Sequence, residues 1–183
     1  MKPTVSRPLW IALPVAVCAA AALFVGAPFL TAARFQEAAL AGDFAAMEGL
    51  TDITALRADL HARMQARIIA AMHTDGELHH NPLAGLGLAI VPAMADRVVE
   101  AAATPRGLAV LVATGEAPKT PVEAAFPPPP AEREPVRRRA GYESWNTFRL
   151  TVRRTSAPEH RATRLVFTRN GTAWKLTRIE PPA

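Results

Sequence analysis

An uncharged run from Pro8 to Ala33, PLWIALPVAVCAAAALFVGAPFLTAA, constrains this chain more than any other feature. About 26 apolar residues form a helix that is long enough to cross a hydrocarbon core of about 30 Å. A signal peptide begins in the same way, but its apolar region is only about 7–15 residues long. The run therefore predicts an uncleaved membrane anchor at residues 1–33, with a removed signal peptide as the alternative.

The charges that flank this run predict its orientation. Lys2 and Arg7 precede it, whereas Arg34 follows among the acidic Glu37 and Asp43. Because Lys and Arg are enriched on the cytoplasmic side of a membrane span, the N-terminus is expected in the cytoplasm. The chain is thus predicted to be a single-pass protein of the inner (cytoplasmic) membrane, with its C-terminal domain in the periplasm.

The rest of the composition indicates one packed domain whose last third is basic. Hydrophobic residues make up 50% of the chain and charged residues 20%, and Cys18 is the single cysteine, so neither an internal disulfide nor a zinc site with two cysteines can form. Residues 127–183 carry 12 Lys and Arg against 5 Asp and Glu. Such a basic segment fits nucleic acid, anionic lipid or a solvated face, and the predicted periplasmic location argues against nucleic acid as a partner.

Residues 34–116 are predicted to form the helical part of the domain. A short helix from Arg34 should end near Gly42, and Asp43 is placed to cap a second helix, FAAMEGL. A longer helix follows Asp52, because apolar residues recur there at intervals of three or four. These residues are Ile53, Leu56, Leu60, Met64, Ile68 and Met72.

Two more helices and a proline-rich segment follow. Pro82 should begin a helix that is buried in the core, and the pair Thr104 and Pro105 should begin a last helix that ends at Gly115. Residues 117–136 contain the run Pro127–Pro130, which favours polyproline II. This stretch is interpreted as a linker or surface loop.

Residues 137–183 are predicted to form a small antiparallel sheet, because apolar and polar residues alternate there. Three strands are expected, of which the last two are joined by a hairpin at Asn170 and Gly171. Their apolar positions are Phe148, Leu150 and Val152, then Leu165 and Phe167, then Trp174, Leu176 and Ile179. A sheet of this size needs helices to cover its apolar face, so the expected fold class is α+β.

Potential catalytic and metal-binding residues are few. The densest cluster is formed by His73, Asp75, Glu77, His79 and His80, and its spacing matches no established ligand motif. A solvated loop is expected there, with no metal site and no cofactor. Asp43 and Asp52 are interpreted as helix caps because they directly precede predicted helices, and Asp59 as a partner of Arg63 four residues later. The sequence also contains neither a nucleophile elbow nor a phosphate-binding loop.

The order of these segments resembles a known family. The anchor is followed by Pro28 and Phe29, by LTDITALRADL (50–60), by NPLAGLGLAIVPAMADRVVEAAATPRGL (81–108) and by a terminal hairpin that ends in WKLTRIEPP. This pattern is similar to the bacterial domain of unknown function 2939. The resemblance implies an anchored envelope protein without assigned activity or catalytic residues. Helices followed by a curled sheet are also loosely similar to the cone-shaped nuclear-transport-factor-like fold.

Two functional hypotheses follow. The first is a non-enzymatic binding or scaffold module of the envelope, which binds a partner protein or an apolar ligand. Aromatic residues of the sheet are its candidate ligand-binding residues, namely Trp145, Phe148, Phe167 and Trp174. The alternative is a small-molecule hydrolase or isomerase that uses the Asp and His residues interpreted above as caps and loops. An inward face made of Phe, Leu and Trp favours the first hypothesis.

Overall fold

A computed structural model describes residues 8–74, 97, 99–116, 118, 120, 122–123 and 134–182. Helices come first along the chain and a four-stranded sheet follows, as expected for the α+β class. The helices are α1 (Pro8–Ala41), α2 (Phe44–Gly49), α3 (Ile53–Thr74) and α4 (Pro105–Thr114). The strands are β1 (Val136–Ser144), β2 (Thr147–Arg154), β3 (Thr163–Asn170) and β4 (Ala173–Glu180).

Helix α1 joins the predicted anchor to the domain without a break. The sequence predicts a separate short helix from Arg34, but α1 continues through Pro28 and Arg34 to Ala41 and ends where Gly42 adopts a φ of 73°. Its earlier apolar side chains are exposed, such as Leu23 at 69%, whereas Ala32 is only 1% exposed and belongs to the core. The alanine-rich sequence after Pro28 favours helix, so α1 continues from the apolar run into the domain.

The other described helices begin and end as the sequence predicts. The Asp43 side chain accepts a hydrogen bond from the amide of Ala46, and Asp52 accepts one from Ala55, which confirms both as caps. Thr104 caps α4 in the same way, and Gly115 ends α4 with a φ of 79°. Each cap supplies a partner for amides that a helix end leaves unbonded.

The sheet is an antiparallel meander in the order β1, β2, β3, β4. The prediction of three strands was wrong, because β1 precedes the three that were expected. Its sequence, VRRRAGYES, lacks the alternation of apolar and polar residues that reveals a half-buried strand. Strand β1 forms one edge of the sheet, and its pairing with β2 places Val136 opposite Arg154 and Tyr142 opposite Phe148.

Strand β4 forms the other edge, and the segment between α2 and α3 covers it. The amide of Asp52 donates to the carbonyl of Leu176, and the amide of Leu176 donates to the carbonyl of Leu50. A break in register near Thr177 allows Trp174, Leu176 and Ile179 to share one face, although their spacing does not alternate strictly. The hairpin loop consists of Gly171 and Thr172, with the positive φ of 62° at Gly171.

The core lies between one face of the sheet, here called the core face, and helices α1 to α4. Every predicted apolar position of the sheet is buried in it. Buried side chains from the helices pack against these residues, including Ala32, Phe35, Met47, Leu56, Leu108, Leu111 and Val112. The helix predicted from Pro82 and the polyproline run Pro127–Pro130 lie outside the described residues.

Candidate functional site

The predicted ligand-binding aromatic residues occupy two different environments. Phe148 and Phe167 are fully buried and Trp174 is only 3% exposed, whereas Trp145 is 76% exposed in the turn between β1 and β2. The structure brings Phe148 and Trp174 together, with ring centroids 6.4 Å apart, and packs Phe167 against Phe35 at 5.5 Å. Trp145 is not part of this packing. Binding of an apolar ligand by these four residues stays a prediction.

Aromatic side chains also join the sheet to the exposed part of α1. The Tyr142 hydroxyl donates to the carbonyl of Val25 at 3.0 Å. The Phe29 ring lies 6.0 Å from that of Tyr142 and 4.7 Å from that of Phe148, in both cases edge to face. This geometry is favourable for aromatic pairs, so the contacts fix the position of the sheet on the helix.

Arg169 extends the same contact region. Its guanidinium carbon lies 3.5 Å from the centroid of the Phe24 ring and 5.3 Å from that of Trp174. A guanidinium over an aromatic face is attracted by the ring quadrupole, and more strongly where water is excluded. We call Phe24, Val25, Phe29, Tyr142 and Arg169 the anchor contact, because they join the sheet to the apolar part of α1.

The opposite end of the sheet carries a groove of about 450 Å³, here called the arginine groove. Strand pairing builds it, since Arg139 lies opposite Thr151, and Thr151 lies opposite Arg164 on the next strand. Arg137 likewise lies directly opposite Arg153. The lining consists of Arg137, Arg138, Arg139, Thr151, Arg153, Glu159, Ala162 and Arg164.

Five arginines and one glutamate therefore share this groove. Arg138 donates to the carbonyl of Val112 at 3.0 Å, and Arg153 donates to the carbonyl of Ala157. Among the residues that the structure describes, no carboxylate lies within salt-bridge distance of Arg137, Arg139 or Arg164. Like charges directly opposite each other destabilise a sheet, so an anion held between them would relieve this repulsion.

The acidic residues next to the groove are directed elsewhere. Glu116, just after α4, pairs with Arg154 at the end of β2 and raises the pKa of that guanidinium through their hydrogen bond. The Glu134 carboxylate accepts a hydrogen bond from the amide of Ser156 at 2.9 Å, and its hydrogen bonds to Ser156 lower its pKa. Both carboxylates therefore have partners, Arg154 and Ser156, that are not among the lining residues of the groove.

The acidic residues considered for catalysis have structural partners. Asp43 and Asp52 cap helices, and Asp59 binds the guanidinium of Arg63 at 2.8 Å, as predicted. Within the described part of the chain, no three His, Cys, Asp or Glu side chains are grouped so that they could hold a metal ion. His73 lies in the last turn of α3 and not in the expected loop, whereas residues 75–80 of this cluster lie outside the described residues.

The arginine groove was not among the predicted sites. The sequence does hold a signal for it, because Arg149, Thr151 and Arg153 alternate with the buried residues of β2. The missing element was β1, which supplies Arg137 and Arg139 and has no recognisable strand pattern. Pairing between strands, rather than spacing within one strand, brings these side chains together.

Comparison with known proteins gives one match. A family model described as "Protein of unknown function (DUF2939)" matches residues 17–111. No curated protein and no solved structure matches the chain. The matched segment contains most of α1, all of α2 and α3 and most of α4, whereas the sheet and the arginine groove follow it.

Proposed function

The chain belongs to the DUF2939 family of proteins of unknown function, and from this premise we propose that it is a membrane-anchored, non-enzymatic binding module of the bacterial envelope. Its α1 helix holds the domain at the membrane, and its arginine groove binds an acidic segment of a partner protein. The observation that carries the proposal is the set of five arginines from three strands that share this groove with one glutamate, Glu159.

Membrane anchoring is supported by the length and exposure of α1. The helix has 34 residues, and its part Pro14–Ala41 is long and apolar enough to cross a membrane. A signal sequence near the N-terminus can have the same length and composition. Two observations favour an anchor that is retained. Pro28 and Ala32 are buried, and Phe29 packs on Phe148, so cleavage after Ala33 would remove part of the core.

Location of the domain in the periplasm is supported by the charges around α1. Lys2 and Arg7 lie before the apolar run and Arg34 lies after it, close to Glu37. This asymmetry favours an N-terminus in the cytoplasm. The arginine groove would then face the periplasm, where proteins and not nucleic acids are its candidate partners.

An acidic protein segment suits the groove in charge and in size. Guanidinium groups bind carboxylates through two parallel hydrogen bonds, which gives geometric specificity as well as affinity. The row Arg139, Thr151 and Arg164 crosses three strands, a distance of about 10 Å at the usual strand spacing. Several carboxylates of one extended chain can therefore be bound at once.

Binding of a labelled hexaglutamate peptide to the full chain in detergent micelles tests this function. The double variant Arg137→Glu with Arg139→Glu should lose binding at least tenfold, and raising the salt from about 0.05 to 0.5 M should weaken binding to the unchanged chain. A matched control is Arg57→Glu with Arg97→Glu, because it makes the same change in net charge at exposed positions outside the groove. Equal losses in both variants would show that net charge alone attracts the peptide and would refute the groove.

A further inference from the structure

Trp145 lies exposed in the turn between β1 and β2 instead of being packed in the core. It is the most exposed of the large hydrophobic side chains in the described part of the chain, at 76%. The turn itself is fixed, since the Ser144 hydroxyl binds the Asn146 side chain at 2.8 Å, and the Asn146 carbonyl accepts the amide of Arg169 at 2.9 Å. Because an indole combines an apolar ring with one N–H donor, it is well suited to a boundary between water and an apolar phase.

The position of this turn identifies such a boundary. Arg169, which is bonded to the turn through Asn146, lies over the ring of Phe24 on α1. Tyr142, at the end of the neighbouring strand, is bonded to Val25. The turn that bears Trp145 therefore lies at the same end of the sheet as the anchor contact.

The same part of α1 is where the helix leaves the membrane in the anchored arrangement. Leu23, Phe24 and Val25 are exposed apolar residues, and the first charge after them is Arg34. Arg34 lies ten residues after Phe24, which corresponds to about 15 Å of helix and is enough to pass from the edge of the hydrocarbon core through the headgroup layer. Trp, Tyr and Arg side chains are enriched in that layer.

We infer that this end of the sheet rests on the membrane that α1 crosses, with Trp145 in the lipid headgroup layer beside the anchor contact. The inference rests on the membrane-anchored part of the proposed function and is independent of the arginine groove. The turn and α1 together then hold the domain in one orientation on the bilayer. The groove lies toward the other end of the strands. Along β2, the distance from Phe148 at the anchor contact to Val152 near the groove is about 13 Å, so the groove faces away from the lipid.

Tryptophan fluorescence of the full chain in phospholipid vesicles tests the inference. Both chains in the comparison carry Trp10→Phe, which removes the indole nearest the N-terminus. One of them also carries Trp145→Phe, so the difference between the two spectra is the emission of Trp145. That emission should be shifted to the blue in vesicles and quenched by lipids that are brominated near the top of the acyl chain. Emission at the wavelength of a water-exposed indole, without quenching by these lipids, would overturn the inference.

A matched control moves the indole to the opposite end of the sheet. Ser156 is exposed in the turn after β2, so Ser156→Trp in the Trp10→Phe, Trp145→Phe chain should emit as in water and resist quenching by lipid. Equal quenching at both positions would also overturn the inference. Washing the vesicles with alkaline carbonate separates the two proposals. Release of the chain refutes the anchor and the inference together, whereas retention with an unquenched Trp145 refutes the inference alone.

Discussion

Trp174 should contribute more to the stability of the domain than any exposed aromatic residue. Its indole is 3% exposed and lies with ring centroids 5.9 Å from Tyr142 and 6.4 Å from Phe148. A buried aromatic side chain removes about 150–250 Å² from water, which at about 25 cal/mol per Å² amounts to about 4–6 kcal/mol. Since an unfolded chain already hides part of this area, we expect Trp174→Ala to cost about 3–5 kcal/mol.

Urea unfolding of the full chain in detergent micelles, followed by far-ultraviolet circular dichroism, measures this loss. With a slope of about 2 kcal/mol per M, a loss of 4 kcal/mol lowers the midpoint by about 2 M. Trp145→Ala is the matched control, because it deletes the same side chain where it is exposed and should change the free energy of unfolding by less than about 0.5 kcal/mol. A Trp174→Ala midpoint close to that of Trp145→Ala would refute the assignment of Trp174 to the core.

Two further predictions concern the ends of helices. A chain truncated to begin at residue 34 should be less stable to urea than one that begins at residue 24, because it lacks the buried Ala32 and the packing of Phe29 on Phe148. Equal urea midpoints would show that the part of α1 before Arg34 contributes nothing to the core. Gly115→Ala should destabilise the domain by more than Gly171→Ala in the same assay. Both glycines have a positive φ, but only the added Cβ at Gly115 would lie close to another backbone atom, 3.0 Å from the amide nitrogen of Arg154. A larger loss of stability for Gly171→Ala would contradict this packing.

Much of the fold could be predicted from the sequence because its signals are local. Asp43 and Thr104 have cap side chains within three residues of the amides that they bind. Phe148, Leu150 and Val152 alternate along a strand whose other side is polar, and all three are buried. Capping and alternation depend only on neighbours along the chain, so the sequence alone indicated these elements.

The candidate site could be predicted only in part. The sequence indicated that Phe148, Phe167 and Trp174 belong with the sheet, and the structure places them in the core. Trp145 belongs to the same stretch of sequence but lies outside that core, because it falls in the turn before β2 begins at Thr147. A difference of a few residues in the start of a strand decides which side chain is buried, and sequence patterns locate such boundaries poorly.

The sequence by itself determined the apolar N-terminal helix, the helix caps, the hairpin and the alternating strands. Only the tertiary structure decided that α1 enters the core, that Tyr142 and Arg169 contact the apolar part of α1, and that Arg137 and Arg139 meet Arg153 and Arg164 in one groove. Val166 is another example. It alternates with the core residues of β3 and pairs with Arg149 and Arg178, so the sequence predicts it on the polar side of the sheet, yet it is fully buried. These features depend on which strands and helices become neighbours, and that choice is made by burial of the whole core rather than by any segment of the chain.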